Sequence, residues 1–188
     1  MGKKELSLRN TSLSANRTLT DIARLQLADE VPERTIVHLA TLGETYIAEM
    51  LTSLIALEDG NRSKMYEALL GEVREGMFNS WPAMFEWLRR GFGLSLLGEK
   101  EVQDFTCCVD LRNSIVHGNS RLTRMQTKQF EKSIDLRKKL ERTMHVAIQG
   151  SRIMVDRDSS QAGIKVSRSF IFRVDDLMIQ QYPSLLAR

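Results

Sequence analysis

Apolar residues recur at intervals of three and four along most of this chain, and that spacing predicts helices. The longest such run begins at Pro32, a residue that suits a first helical turn, and stops at Gly60. Its apolar face consists of Ile36, Leu39, Gly43, Tyr46, Ile47, Met50, Leu54 and Leu57. At 1.5 Å per residue this helix would span roughly 39 Å and form one wall of a domain.

Two shorter helices are predicted next. The first covers residues 62 to about 75 and ends at Gly76, with an inner face formed by Met65, Leu69, Leu70 and Val73. The second begins at Ser80 and Pro82, which fit a cap and an early turn, and ends at Gly91 and Gly93. The residues of this helix that we expect in the core are Trp81, Met84, Phe85 and Leu88.

A fourth and a fifth helix complete the predicted bundle. The fourth runs from Glu99 to His117, and Gly118 follows where a left-handed terminus would need it. The fifth opens with Thr123 and Gln126, which form a capping-box pattern. It continues to position 150 through the apolar residues Phe130, Ile134, Leu140, Met144 and Ile148.

The two ends of the chain have a different character. Residues 1–18 are polar with little periodicity, and we expect a mobile arm. Residues 152–155 and 166–174 are rich in β-branched and aromatic side chains around a polar turn over 156–163, which predicts a β-hairpin. The prediction is a mainly α protein, with an arm over 1–18, a bundle of about five helices over 19–150, and a hairpin and tail over 151–188.

Composition narrows the class of protein. A chain of 188 residues is long enough to bury one core, and it contains no apolar run approaching eighteen residues and no signal-peptide core. We therefore expect a cytoplasmic protein with no membrane segment. Cys107 and Cys108 are adjacent in a predicted helix, where their side chains diverge by about 100°. Buried thiols are favoured over a disulfide, a redox switch or half of a metal site, and we predict no metal and no cofactor.

The net charge of +3 is small, but it is unevenly distributed. Between positions 112 and 142 lie nine basic residues (Arg112, Arg121, Arg124, Lys128, Lys132, Arg137, Lys138, Lys139 and Arg142) and three acidic ones (Glu131, Asp135 and Glu141). A solvated helix face with local ion pairs and a surface facing a polyanion explain this run equally well. On the second interpretation, the predicted RNA-binding residues are Arg121, Arg124, Lys128 and Lys132.

One short segment combines side chains that could carry chemistry. Within residues 110–118, Arg112 is followed directly by Asn113, and His117 comes four residues later. From composition alone, this arrangement is expected about 0.01 times in a chain of this kind. Each residue taken singly has a structural explanation, such as a favourable His at a helix C-terminus or a surface Arg paired with Glu49 or Glu101. The three together favour a functional site.

The segment resembles the R-N-x-x-x-H signature of the HEPN superfamily, with some likeness to the RiboL-PSP type. The resemblance covers roughly residues 30–150, where Thr35 to Leu57, with Glu44 and Glu49 among apolar residues, looks like the long early helix of that family. It implies a helical bundle that dimerises and cleaves RNA without metal. A toxin or antiviral defence effector would follow, with an antitoxin or defence-system partner.

Helix geometry constrains how these residues could cooperate. At 100° per residue, Asn113 and His117 are 400° apart and share a face, whereas Arg112 and His117 diverge by about 140°. One chain is therefore a poor catalyst. Two chains packed across a twofold axis would each bring an Arg and a His to a shared cleft, in agreement with the composite sites that the resemblance implies.

RNA cleavage requires few groups from a protein beyond those of Arg112, Asn113 and His117. RNA supplies its own nucleophile in the 2′-hydroxyl, so an acid or base near neutrality and a cation at the phosphate suffice. We expect His117 to exchange the proton, Arg112 to hold the phosphate, and Asn113 to orient one of them. The products would be a 2′,3′-cyclic phosphate and a 5′-hydroxyl. The alternatives are a non-catalytic HEPN module that dimerises or binds a partner, and a plain nucleic-acid binder.

Overall fold

The computed structural model describes residues 10–28, 30–57 and 63–187. Its helices are α1 (Leu13–Leu27), α2 (Pro32–Leu57), α3 (Lys64–Phe78), α4 (Trp81–Phe92), α5 (Lys100–Gly118), α6 (Arg124–Thr127), α7 (Phe130–Met144) and α8 (Arg157–Gln181). Two short strands, β1 (Ala147–Gln149) and β2 (Arg152–Met154), pair antiparallel, and a 3-10 helix covers Pro183–Ala187. The predicted fold class, mainly α with a small hairpin, is confirmed.

The core lies where α2, α5 and α8 pack against one another, and α1 packs on α2 and α8. The ring of Phe105 on α5 stacks on Phe170 of α8, with centroids 4.2 Å apart and planes 11° apart. Trp81 of α4 contacts both rings. On α2, Gly43 makes room for this cluster, because a Cβ there would lie 2.2 Å from Cζ of Phe105. The three central helices therefore meet at almost the closest approach that side chains allow.

The start of α2 and both ends of α4 agree with the prediction, while the predicted stop at Gly60 lies outside the described residues. The long run after Pro32 forms α2, and Ser80 caps α4 by accepting a hydrogen bond from the main-chain N–H of Ala83. Gly93 ends α4 with φ 68°, a conformation that glycine adopts without strain. None of the described helices is long and apolar enough to cross a membrane.

The predicted arm is partly structured. Residues 13–18 belong to α1, where Ala15 and Thr18 are buried, while residues 1–9 lie outside the described part of the chain. The main-chain N–H and hydroxyl of Ser12 donate to the carboxylate of Asp175 on α8 at 3.0 and 2.6 Å, and the hydroxyl of Tyr46 donates to it at 3.2 Å. The boundary at residue 18 was wrong because this buried carboxylate holds the polar start of α1 against the core.

The predicted hairpin lies elsewhere in the chain. Residues 166–174, expected as its second strand, belong to α8, which starts with a capping box between Asp156 and Ser159. Their β-branched and aromatic residues also fit a helical stripe, and burial of Phe170, Ile171 and Val174 outweighs their strand preference. The actual hairpin turns at Gly150, which has φ 58°. Since α8 forms part of the core, the domain boundary at residue 150 is also wrong.

Two predicted apolar faces are not buried. On α3, Met65, Leu69 and Val73 are exposed, because α3 packs against α4 through its C-terminal end, where Met77 is buried. The fifth predicted helix is divided: Gln129 is extended between α6 and α7, and α7 ends at His145 with φ 54°. Phe130 therefore lies at the first turn of α7, where it is solvent-exposed instead of packed in the core.

Candidate active site on helix α5

The Arg-Asn-His segment occupies the last two turns of α5. Leu111 and Ser114 point into the protein and are buried. Arg112 and Asn113 are consequently half-buried, and His117 is exposed in the last turn. The sequence predicted a left-handed conformation at Gly118. In the structure the left-handed residues come directly after it, at Asn119 with φ 50° and Ser120 with φ 58°. Asparagine tolerates this conformation better than most residues, so α5 ends one residue later than expected.

Arg112 and Asn113 are the two members of the segment that contact each other. Nη1 of Arg112 donates to Oδ1 of Asn113 at 3.0 Å, while Nε of Arg112 is buried and has no acceptor. Within the described ranges, Arg112 forms no ion pair, and its predicted structural partner Glu49 instead accepts a hydrogen bond from Ser14. A partly desolvated guanidinium with no carboxylate beside it leaves a cation available to an anionic ligand.

His117 stands apart from the other two. In the part of the chain that the structure covers, no hydrogen bond joins its imidazole to Asn113 or to Arg112. The shared face of Asn113 and His117 thus brings them to one side of α5 without a direct bond. A single chain presents an Arg-Asn pair and, separately, an accessible imidazole.

Gln126 fixes α6 to this end of α5. Its Nε2 donates to the main-chain oxygen of Asp110 at 2.8 Å, and its Oε1 accepts from the hydroxyl of Ser114 at 2.9 Å. The same Oε1 accepts from the main-chain N–H of Thr123 at 2.9 Å, which completes the predicted capping box. The sequence indicated the cap but gave no signal for the contacts with α5.

The four predicted RNA-binding cations lie directly after the motif. Arg121, Arg124, Lys128 and Lys132 are all exposed, on α6, at the start of α7 and in the adjoining turns. Among the described residues none of the four forms an ion pair, so their charges are not neutralised by neighbours. Such a cluster favours the polyanion-facing interpretation over a solvated face stabilised by local pairs.

Helices α5 and α7 run antiparallel beside this cluster. The N-terminal residues of α5, Lys100 and Asp104, share a groove with Arg142, whereas Asp110 shares a second groove with Lys132. The N-terminus of α7 therefore lies next to the half of α5 that carries the motif. Burial raises the pKa of Asp110, although its hydrogen bond with Gln126 and the charge of Lys139 act in the opposite direction.

The hairpin supports the turn that follows the motif. The main-chain N–H of Leu122 donates to the oxygen of Ser151 at 2.9 Å, and the N–H of Ile153 donates to the oxygen of Ser120 at 2.8 Å. Residues 120–122 thus form a short third edge beside β2, and an isolated bridge joins Arg121 to Arg152. The hairpin fixes the direction in which the chain leaves α5.

The remaining candidate groups lie away from this site. Cys107 and Cys108 are free and buried, as predicted, and burial raises the pKa of Cys108 to about 12. His38 approaches Glu30 at 3.2 Å, and His145 is the left-handed residue that ends α7. The described residues contain no group of three or more His, Cys, Asp or Glu side chains placed to hold a metal ion.

No family model, no curated protein and no solved structure matches this chain. The likeness to HEPN domains consequently rests on the motif and on the order of the helices. Residues 112, 113 and 117 lie on α5, which follows the long helix α2 in the chain.

Proposed function

We propose that this protein is a cytoplasmic, homodimeric endoribonuclease of the HEPN type that works without a metal ion. The observation that carries this proposal is the guanidinium of Arg112, which is half-buried, bonded to Asn113 and without a carboxylate partner among the described residues. A toxin or an antiviral defence effector is the biological role that fits such an activity.

The reaction needs two groups from the protein. His117, as base, takes the proton of the 2′-hydroxyl, the 2′-oxygen forms a bond to phosphorus, and the bond to the 5′-oxygen breaks. The leaving 5′-oxygen takes a proton from water and the protonated His117 returns its proton to solvent, which gives a 2′,3′-cyclic phosphate and a 5′-hydroxyl. Arg112 binds the phosphate oxygens as negative charge develops on them, and Asn113 fixes the orientation of the guanidinium.

The side chains of Arg112 and His117 diverge on one helix, and a twofold dimer would bring one of each to the same site. Val116 lies four residues after Arg112 and so shares its face of α5, and it is 49% exposed. An apolar residue beside the free guanidinium supports a seam in which two α5 helices pack against each other. In that arrangement Arg112 of one copy and His117 of the other bind the same phosphate.

Two observations favour non-catalytic alternatives. The unpaired cations at 121, 124, 128 and 132 would serve a plain nucleic-acid binder equally well. The exposed stripe of Met65, Leu69 and Val73 on α3 would suit a module that docks on a partner, including an antitoxin. A partner-docking module does not explain why the half-buried Arg112 lacks a carboxylate beside it, and a plain binder has no use for an accessible imidazole at His117.

The test is RNA cleavage in the presence of a chelator. Labelled RNA is incubated with the parent protein, with Arg112→Ala and with His117→Ala, and the products are analysed for cyclic phosphate ends. The expected loss is at least 100-fold in each variant, since positioned proton transfer alone contributes about 10²–10⁴-fold. Arg168→Ala and His145→Asn are the matched controls, because both side chains are exposed and lie away from the motif. Undiminished cleavage by His117→Ala would refute the proposal.

A further inference from the structure

Phe130 is an exposed aromatic residue in the first turn of α7. It is 79% exposed, and it is the one aromatic residue among the large hydrophobic side chains that the described structure leaves exposed. It lies within about 60° of the buried stripe of α7 that includes Ser133 and Met144, in the first turn of the helix. An exposed aromatic ring presents a flat apolar face on which a planar ligand can stack.

The position of Phe130 places it near the candidate site. Lys132, two residues later, shares a groove with Asp110, which is two residues before Arg112. Gln126, four residues earlier, is bonded to Asp110 and Ser114 on α5. Four residues span at most about 15 Å, so the distance from Phe130 to the Arg-Asn-His segment is no more than the length of a few nucleotides.

The surroundings of Phe130 are strongly basic. Residues 121–132 contain four cations, Arg121, Arg124, Lys128 and Lys132, and one carboxylate, Glu131. Lys128 and Lys132 are each two residues from Phe130, and in the described part neither forms an ion pair. Each of their Cα atoms is therefore at most about 7 Å from that of Phe130. On α7 the side chain of Lys132 points about 200° away from that of Phe130, whereas Lys128 precedes the helix. An exposed ring in a segment with four cations and one carboxylate suits a ligand that carries both negative charge and planar rings.

We propose that Phe130 stacks against an unpaired nucleobase of single-stranded RNA, while the exposed cations of residues 121–132 bind phosphates of the same strand. This inference rests on the proposed function in taking RNA as the ligand, and it adds that the substrate is unpaired where it meets α7. Bases inside a duplex are stacked on one another and leave no free face for a side chain, whereas aromatic rings stack on bases of single strands without regard to sequence.

A second copy of this chain fits the same surface less well. In a twofold interface the same patch meets itself, so Arg121, Arg124, Lys128 and Lys132 would approach their own counterparts. Like charges brought together in this way disfavour association. The charge around Phe130 thus favours a polyanion over self-association.

The test measures binding with cleavage removed. All proteins carry His117→Ala, and fluorescence anisotropy gives the Kd for three fluorescein-labelled probes of equal length: single-stranded RNA, the same strand without bases, and the RNA duplex. We expect Phe130→Ala to raise the Kd for single-stranded RNA about tenfold and to leave the Kd for the other two probes unchanged. Phe130→Trp should retain the affinity, and its indole emission should be quenched by the strand with bases.

Two controls separate stacking from charge and from folding. Met125→Ala removes an equally exposed apolar side chain without an aromatic ring and should leave every Kd unchanged. Lys132→Ala should raise the Kd for all three probes and lower the salt dependence of binding. Phe130→Ala should also keep the melting temperature of the parent, since the ring is exposed.

The outcomes distinguish this inference from the proposed function. If the parent protein cleaves RNA and Phe130→Ala binds single strands normally, stacking is wrong and the ribonuclease stands. If the base-dependent loss is found but no variant, the parent included, cleaves RNA, the ribonuclease is wrong and stacking stands. A change of oligomeric state in Phe130→Ala, without any dependence on bases, would assign the ring to a second copy and overturn the inference.

Discussion

The side-chain amide of Gln126 donates to the main-chain oxygen of Asp110 at 2.8 Å, and through this bond α6 is fixed to the helix that carries the Arg-Asn-His segment. The same side chain accepts from Ser114 and from the N–H of Thr123. One residue thereby sets the position of the basic cluster relative to the candidate site.

Removing this link should affect both stability and RNA binding. Gln126→Ala breaks four hydrogen bonds, two of them to α5 and two to Thr123, and should lower the free energy of unfolding by about 1–3 kcal/mol. It should also weaken RNA binding at temperatures where the variant remains folded, because the cations at 121–132 lose their fixed position. Denaturant titration and anisotropy measure the two effects. Gln129→Ala, at an exposed position without a capping bond, is the control and should change neither.

Mixing two inactive variants should restore cleavage if the site is shared between copies. Arg112→Ala and His117→Ala, refolded together in equal amounts, give heterodimers in half of the molecules. Each heterodimer contains one complete site of two, so the mixture should recover about one quarter of the parent activity. The separately refolded variants are the control. Activity no higher than theirs, in a mixture that does form dimers, would mean that Arg112 and His117 do not act across an interface.

The contact between α2 and α5 should tolerate no added atom. A methyl group at Gly43 would lie 2.2 Å from Cζ of Phe105, whose ring is stacked on Phe170. Gly43→Ala should therefore destabilise the protein by about 1–3 kcal/mol. Gly71→Ala on α3 is the matched control, since nothing lies within 4 Å of the added methyl, and it should stabilise by about 0.4–1 kcal/mol. Equal melting temperatures for the two variants would contradict this packing.

The pH dependence of stability should reveal the buried carboxylate of Asp175. Burial raises its pKa above the ordinary value, although the hydrogen bonds from Ser12 and Tyr46 act in the opposite direction. The folded state therefore holds the proton more tightly, and the stability that Asp175 contributes is lost as pH rises through the folded pKa. Asp175→Asn stays neutral, so its melting temperature relative to the parent should increase from about pH 4 to about pH 7. Asp176→Asn, at an exposed neighbour, should show no such trend.

The sequence predicted well those elements whose ends carry local signals. Pro32 began α2, Ser80 capped α4, Gly93 ended it, and the Thr123–Gln126 box capped α6, because each signal acts within one turn of the chain. Residues 166–174 were misassigned, since a stripe of apolar residues fits a strand or a helix until its partners are known. The decisive partners were Phe105 and Trp81, which are distant in sequence.

The candidate site was predictable in its residues and not in its contacts. Arg112, Asn113 and His117 were chosen from spacing, which carries no information on whether a carboxylate lies nearby. The exposure of Phe130 escaped prediction because the break at Gln129, between two helices, has no strong turn residue to mark it. The bond from Ser12 to Asp175 also escaped, because 163 positions separate the two residues.

Helix α8 is the last α-helix in the described part of the chain, yet it packs against α1, α2 and α5. During synthesis the earlier helices are made before α8, so the ring of Phe170 does not yet cover Phe105 and Tyr46. A polypeptide that stopped before residue 157 would carry these apolar surfaces uncovered and would be prone to aggregate. Residues 157–181 must therefore be available before the core formed by α2, α5 and α8 can close.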